Sequence, residues 1–348
     1  MAIQHGGDIY RSTLADREIL DFSVNINPLG IPESVKKAAR AGIEKSCHYP
    51  DVQCRALRES LSRCEHVPAE DIIIGNGAAE LIYALSLAAR PREVLLPAPT
   101  FSEYEESLNT IDCTIRYLVL DRNDGFAIHP ADLTNSLTDD TDFLFLCNPN
   151  NPTGTLMTKK EITEILDDCR TRNIRVLLDE CFLDFTDDPN ACTVTELLGD
   201  YPNLFLLKAF TKKYAMAGFR LGYGLTSDRN LLLAMHQFIQ PWNISVIAQE
   251  AGLAALSEEE YVTRAREMVG RERSRMTDAL RSLGFRTYES HANYILFEGP
   301  SDLCEKALAD GILLRDCSNY TGLCKGFYRT AVKKPEENER LIKWLGRL

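Results

Sequence analysis

Short, wholly apolar runs alternate with longer amphipathic stretches between residues 50 and 235. The runs are Ile72-Ile73-Ile74, Val94-Leu95-Leu96, Phe143-Leu144-Phe145-Leu146, Val176-Leu177-Leu178 and Leu204-Phe205-Leu206-Leu207. Consecutive apolar positions without alternation are what a strand covered on both faces requires. Between them, Lys159 to Asn173 places Ile162, Ile165, Leu166 and Cys169 at helical spacing, which predicts a helix with one apolar face. Thr158 and Glu161 supply a capping box at its start. Strands and helices in alternation predict an α/β unit around a largely parallel sheet.

Beyond Pro241 the pattern changes. Residues from Val246 to Leu283 carry helical periodicity, enough for one or two long helices, and Gly284 is a stop signal. Asn293 to Phe297 and Phe327 to Val332 read as strands, and a closing helix begins at Pro335. This is the pattern of a smaller α+β unit. Ile19 to Pro28, which precedes the large unit, is loop-like near its end.

Composition narrows the function classes. Of 348 residues, 45% are hydrophobic and 26% charged, as in an ordinary globular protein. A formal net charge of −12 argues against a nucleic-acid surface, although it leaves room for a local anion pocket. No apolar run approaches the roughly 20 residues that span a bilayer, and the N-terminus lacks the features of a signal peptide. A cytoplasmic protein is expected, with neither nucleic acid nor membrane as partner. The eleven cysteines contain no Cys-x-x-Cys pair. They read as reduced and mostly buried small hydrophobes, and none is assigned to a metal.

In open α/β sheets, ligands bind beyond the carboxyl ends of the strands, so the residues after each run carry the chemistry. After Ile74 comes Gly75-Asn76-Gly77-Ala78-Ala79-Glu80. Small residues at a helix start let backbone N–H groups approach a phosphate, although the same string serves as a plain strand-to-helix turn. It lacks both the third glycine of the dinucleotide fingerprint and the Lys-Ser/Thr of a P-loop. After Leu96, Phe101 is placed either to lie against an aromatic ring or to fill core. After Cys147, Asn148-Pro149-Asn150-Asn151-Pro152-Thr153-Gly154 fixes a tight turn that aims the Asn151 amide at a ligand hydroxyl.

After Leu178 comes Asp179, a carboxylate at a buried strand end that needs a partner. A protonated ring nitrogen, a salt bridge or a helix cap would each serve. Shortly after Leu207, beyond Lys208-Ala209-Phe210, comes Thr211-Lys212-Lys213-Tyr214-Ala215-Met216-Ala217-Gly218-Phe219-Arg220. There an amine can form a Schiff base if its pKa is lowered, and Arg220 can face an anion. Pyridoxal 5′-phosphate asks for this whole set: a lysine, an aspartate for its ring nitrogen, an asparagine for its hydroxyl, an aromatic and a phosphate cup.

With these motifs the chain resembles the fold-type I, class I/II aminotransferase superfamily over essentially its whole length. Within it the likeness is greatest to the threonine-phosphate decarboxylase branch of cobalamin biosynthesis, a relative of histidinol-phosphate aminotransferases. The closer likeness lies in His5-Gly6-Gly7, Asp21 to Gly30, Asp179 to Phe185, Gln240-Pro241-Trp242-Asn243, Arg315 to Tyr320 and Phe327 to Ala331.

The resemblance implies a large domain (44–240) with a mainly parallel seven-stranded sheet. A smaller α+β domain would be built from both termini (1–43 and 241–348). It implies that Lys212 carries the cofactor, Asp179 faces the pyridine nitrogen, Asn151 faces the ring hydroxyl and Phe101 stacks. Gly77, Ala78, Thr211 and Arg220 would hold the cofactor phosphate. Tyr49 would reach the cofactor of a neighbouring subunit, which makes a homodimer with sites at the subunit interface the expected assembly. His5, Asn25, Asn151, Arg315 and Arg329 would hold a small phosphorylated amino acid.

The implied reaction is decarboxylation of L-threonine O-3-phosphate to (R)-1-amino-2-propanol O-2-phosphate, with serine phosphate as a further candidate substrate. The alternatives are a histidinol-phosphate-type aminotransferase and a non-catalytic binding or regulatory relative. Three positions depart from the usual patterns. Ala209 replaces a serine that would hydrogen-bond the cofactor phosphate, and Lys208 stands where the branch has arginine. Phe182 replaces the tyrosine of aminotransferases, a change shared with the decarboxylases.

Overall fold

The computed structural model describes residues 5–10 and 19–348. After a two-residue strand β1 (Leu20–Asp21), seven strands form the large sheet. They are β2 (Ile72–Gly75), β3 (Glu93–Ala98), β4 (Thr114–Val119), β5 (Phe143–Cys147), β6 (Arg175–Asp179), β7 (Leu204–Ala209) and β8 (Gly222–Leu225). Their spatial order is β2-β8-β7-β6-β5-β3-β4, and β8 alone runs against its neighbours. The carboxyl ends of the other six therefore share one edge. The five apolar runs became β2, β3, β5, β6 and β7, and their central residues are buried because helices cover both faces.

The periodicity did not foretell β4 and β8. Strand β4 is a half-exposed edge strand with polar Thr114 and Arg116. Strand β8 is Gly-Tyr-Gly-Leu, and its glycines answer to close approach. A Cβ on Gly222 would lie 2.6 Å from the Ala78 amide nitrogen, and one on Gly224 would lie 2.2 Å from the Phe205 ring. The helix after β5 runs from Lys159 to Thr171 with the capping box of Thr158 and Glu161 in place.

The later helical region divides into Val246–Ala255 and the long Glu259–Ser282. Gly284 follows the long helix with φ +87°. Strands β9 (Arg286–Thr287), β10 (Tyr294–Glu298), β11 (Ile312–Leu313), β12 (Arg315–Asp316) and β13 (Phe327–Ala331) follow. β12-β13-β10-β9 form an antiparallel sheet, whereas β11 pairs in parallel with β1. Phe22 N–H extends that pairing to Leu313 C=O, and the Ala331 N–H of β13 donates to Phe22 C=O at 2.9 Å, which ties the N-terminal segment to the small sheet.

The cysteines are all unpaired, but the expectation that most are buried needs correction. Five are buried (Cys54, Cys147, Cys169, Cys181, Cys317), three are exposed and three are intermediate. The exposed ones lie outside the strand interiors, in segments whose polarity the apolar-run argument did not cover. No helix among the described residues is long and apolar enough to cross a membrane.

Candidate active site

A cavity of about 230 Å³ opens at the carboxyl edge of the large sheet. Lys212, Asp179, Asn151, Phe101, Ala78, Thr211 and Arg220 all line it, together with His5, Asn25, Arg315 and Arg329. Residues drawn from five separate strand ends and from the small sheet thus converge on one space.

Lys212 lies in the short helix Phe210–Lys213 directly after β7. Its backbone is gripped from the N-terminal segment. The Asn27 N–H donates to Lys212 C=O at 3.2 Å, and Asn27 Nδ2 donates to Lys213 C=O at 2.8 Å. Among the described residues no carboxylate pairs with the Lys212 amine, which stands 5.6 Å from the Phe182 ring centroid. Burial, reinforced by the charges of Arg329 and Arg220, brings its pKa down to about 8. Lys213 points elsewhere, to Asp184 at 2.7 Å.

Asp179 ends β6 and is buried. The Tyr104 hydroxyl donates to Oδ2 at 2.8 Å and the Cys181 N–H donates to Oδ1 at 2.8 Å. Burial pushes its carboxyl above the usual range, while Cys181, Tyr104 and the Lys212 charge oppose that rise. The turn after β5 is fixed by side chains that bond its own backbone. Asn148 Nδ2 and Oδ1 clasp both sides of Met157 at 3.0 and 2.7 Å. Asn150 Nδ2 reaches Pro99 C=O at 2.9 Å, and the Tyr294 hydroxyl donates to Asn150 C=O at 2.8 Å. These bonds hold Asn151 on the cavity wall.

Arg329, on β13, donates through Nη1 to Asn151 Oδ1 and through Nη2 to Ser23 C=O at 3.0 Å. The Asn25 amide, oriented by the donors around it, accepts through Oδ1 from Arg329 Nε at 3.1 Å. Arg315, on β12, donates to Asp316 C=O at 2.6 Å and to Asn319 Oδ1 at 3.0 Å, with its guanidinium over the Tyr320 ring. Both guanidiniums are buried and held in place, so neither is a mobile surface arginine. His5 Nε2 lies 3.1 Å from Glu103 Oε1 and lines the cavity beside them.

Gly77, with φ +81°, precedes the helix Ala78–Ala89. It is not itself on the cavity wall. A Cβ there would meet Arg220 Nη2 at 2.4 Å, so the glycine lets that guanidinium lie against the turn. Arg220 also has φ +57° and donates to Ala217 C=O at 3.2 Å. A buried amine with a lowered pKa, a fixed carboxylate and a glycine turn backed by arginine fit pyridoxal 5′-phosphate as a donor set.

Tyr49 is not among the residues brought together. It is 80% exposed and stacks on Trp242, with centroids 4.7 Å apart. Lys208 is not in the cavity either. It belongs to a charged cluster behind the strand ends, 2.6 Å from Glu65 Oε2 and 3.5 Å from Glu180 Oε2. Ala209 is on the cavity wall and offers no hydroxyl. Tyr104, Asn27, Cys147, Cys181 and Tyr320 were not singled out from the sequence as site residues. Asn27, Cys181 and Tyr320 lie inside the motifs that carry the resemblance, and Tyr104 stands one helical turn after Phe101.

The family model for aminotransferase class I and II matches residues 17–345. The threonine-phosphate decarboxylase of Salmonella typhimurium is 37% identical, with 97% of this chain and 94% of that protein covered. A histidinol-phosphate aminotransferase of Methanothermobacter thermautotrophicus is 31% identical, over 96% of this chain and 90% of its own length. Among solved structures, the histidinol-phosphate aminotransferase from Clostridium acetobutylicum superposes with a TM-score of 0.87 at 30% identity. That match covers 93% of this chain and 97% of that one.

Proposed function

The chain belongs to the class I and II aminotransferase family, and from that premise we propose that it decarboxylates L-threonine O-3-phosphate to (R)-1-amino-2-propanol O-2-phosphate, a step of cobalamin biosynthesis. It is a pyridoxal 5′-phosphate enzyme. When bound, that cofactor supplies an electron sink for the pair released at the substrate α-carbon.

The chain's own residues supply placement. Lys212 offers the amine that holds the cofactor. Asp179 would face the ring nitrogen, Asn151 would offer its amide N–H to the ring hydroxyl, and Phe101 would cover one ring face. Arg220, Thr211 and the amides at Gly77 and Ala78 hold the cofactor phosphate. Ala209 leaves this cup one hydroxyl short, a loss of about 1 to 3 kcal/mol even for a charge-assisted bond.

The observation that carries the reaction is the pair of buried guanidiniums, Arg315 and Arg329, on the same cavity as Lys212 and Asp179. A substrate with both phosphate and carboxylate needs two anion sites, and arginine forks bind such groups directionally. With His5 and Asn25 beside them, they would hold the substrate's two anions and so set which bond at the α-carbon is presented for cleavage. Presenting the carboxylate releases CO₂, whereas presenting the α-hydrogen favours transamination. Phe182, without a hydroxyl beside the Lys212 amine, agrees with the first outcome.

Tyr49, exposed in this chain, would reach the cofactor of a second copy in a homodimer, and the large and small domains would divide at 44–240 and at 1–43 with 241–348. The second reading, a histidinol-phosphate-type transamination, is supported by the 31% likeness above. One assay separates the two. Threonine phosphate and serine phosphate are supplied side by side, with and without a keto-acid acceptor. Release of CO₂ and aminopropanol phosphate without an acceptor is expected, whereas keto products that require the acceptor would sink the proposal. The preference between the two substrates rests on one methyl group, a difference of about 1 to 3 kcal/mol.

A further inference from the structure

Tyr104 is completely buried in the helix Ser102–Leu108, one turn beyond Phe101. Its hydroxyl donates to Asp179 Oδ2 at 2.8 Å, while the Cys181 N–H takes the other oxygen at 2.8 Å. Each carboxylate oxygen therefore has one fixed donor, one from a side chain 75 positions away and one from the adjoining backbone. The Tyr104 ring stands edge-on to Phe101, with centroids 5.6 Å apart and planes at 86°. Its other neighbour is Phe145 on β5, at 5.8 Å and 81°. One side chain thus touches both the aromatic assigned to the cofactor's ring face and the carboxylate assigned to its ring nitrogen.

We propose that Tyr104 is a positioning residue for the cofactor: its hydroxyl fixes the direction and the remaining hydrogen-bonding capacity of Asp179 toward the ring nitrogen, and its ring sets the place of Phe101. The inference rests on the reading that Asp179 faces that nitrogen. A hydroxyl donor draws charge toward one carboxylate oxygen and leaves less for the ring. A buried tyrosine also needs a partner for its O–H whatever the function. The two roles differ in one respect: a merely structural hydroxyl stabilises the fold equally with and without cofactor, whereas a positioning one is read by the cofactor.

The test uses the full chain reconstituted with pyridoxal 5′-phosphate, as Tyr104→Phe, Asp179→Asn and the double variant. Three quantities are measured: the cofactor dissociation constant, the pH midpoint of its visible absorbance, and the thermal midpoint of the cofactor-free protein. Tyr104→Phe keeps the ring packing. It is expected to weaken cofactor binding roughly 3- to 10-fold and to move the absorbance midpoint by about half a pH unit, as loss of one charge-assisted bond should. On the Asp179→Asn background it should change either quantity by less than about twofold, because coupled sites are not additive. Installing 3-fluorotyrosine in place of Tyr104, a stronger donor of nearly the same size, should move the midpoint the opposite way.

Three outcomes overturn the inference: Tyr104→Phe silent on both cofactor readouts while Asp179→Asn is not, an undiminished effect in the double variant, or a fluorotyrosine shift in the same direction. An Asp179→Asn protein with unchanged cofactor spectrum and affinity refutes the Asp179 reading itself, and this inference with it.

Discussion

Lys208→Met should destabilise the fold by about 3 kcal/mol near pH 8, and the deficit should shrink on acidification. Lys208 Nζ sits 2.6 Å from Glu65 Oε2, 3.5 Å from Glu180 Oε2 and 2.9 Å from Thr195 Oγ1. Removing one member of a buried ion pair costs about 3 to 5 kcal/mol, because the partner remains buried and uncompensated. The lower end applies because the Lys208 and Glu65 side chains are only part-buried and both acids keep other donors. Glu65 retains the Tyr223 hydroxyl at 2.5 Å, and Glu180 retains Thr193 Oγ1 at 2.8 Å and the Val194 N–H at 3.1 Å. Methionine preserves most of the side-chain volume, so little of the loss comes from a cavity.

The pH dependence follows from the two carboxyls. Burial already raises the Glu180 carboxyl in spite of the Lys208 charge. Burial also works to raise Glu65, but Lys208 and the Tyr223 hydroxyl outweigh it and hold that group below its ordinary value. Without Lys208 both move up. A carboxyl whose pKa is higher folded than unfolded takes up its proton first in the folded state, so falling pH favours folding through that window. The deficit should be full above the raised folded value and fade toward the ordinary carboxylate range. Urea unfolding at pH 8 and pH 5.5 measures it, and Lys208→Met/Glu180→Gln should recover part of the loss at pH 8. A loss under about 1 kcal/mol at pH 8, or one that grows with acid, would refute the cluster's role, since surface pairs contribute at that level.

Two further expectations follow from single groups. With a pKa of about 8, Lys212 is neutral in about one molecule in ten at pH 7, against roughly one in three thousand for an ordinary lysine. The rate at which cofactor-free protein captures pyridoxal 5′-phosphate should therefore rise about tenfold per pH unit below 8 and level off above 9; a rise continuing to pH 10 would contradict the lowered value. The homodimer expectation points to the face where Tyr49 and Trp242 stack and where exposed Val52 and Leu233 line one groove. Sedimentation velocity should report a dimer, and Leu233→Asp should yield monomers that bind cofactor at least tenfold more weakly for want of the partner's tyrosine, the loss of about one hydrogen bond to a charged group. A wild-type monomer with full cofactor affinity refutes both parts.

The large sheet was legible wherever a strand is buried on both faces, because burial removes polar residues from consecutive positions. It was illegible where another constraint chose the residues. The edge strand β4 keeps polar side chains on its open side. In β8, two glycines are demanded by Ala78 and Phe205 rather than by strand propensity. The strand-end logic likewise singled out Asp179, Asn151, Phe101 and Lys212, which follow readable runs within a few residues and line one cavity. It could not find Asn27, whose grip on the Lys212 helix spans the chain. Nor could it place Lys208, because a lysine at a strand's end faces either the cavity or the back of the sheet according to the strand's twist and its partners there.

This difference in legibility follows the division of labour in the site. The residues proposed for the cofactor come from one sheet edge, and their relative positions are set by a register of strand pairings that includes Cys147 with Asp179 and Asp179 with Leu207. The residues proposed for the substrate anions come from β12 and β13, which belong to a separate sheet, and from the N-terminal segment. Arg329 joins the two sets, because the same guanidinium bonds Asn151 on one side and Ser23 C=O and Asn25 on the other. A shift between the sheets would therefore move the substrate anions against a fixed cofactor, and a small rotation at the α-carbon is what separates loss of CO₂ from loss of a proton. On the proposed reading, the seating of the small sheet on the large one therefore bears on the choice of reaction together with Phe182 beside Lys212.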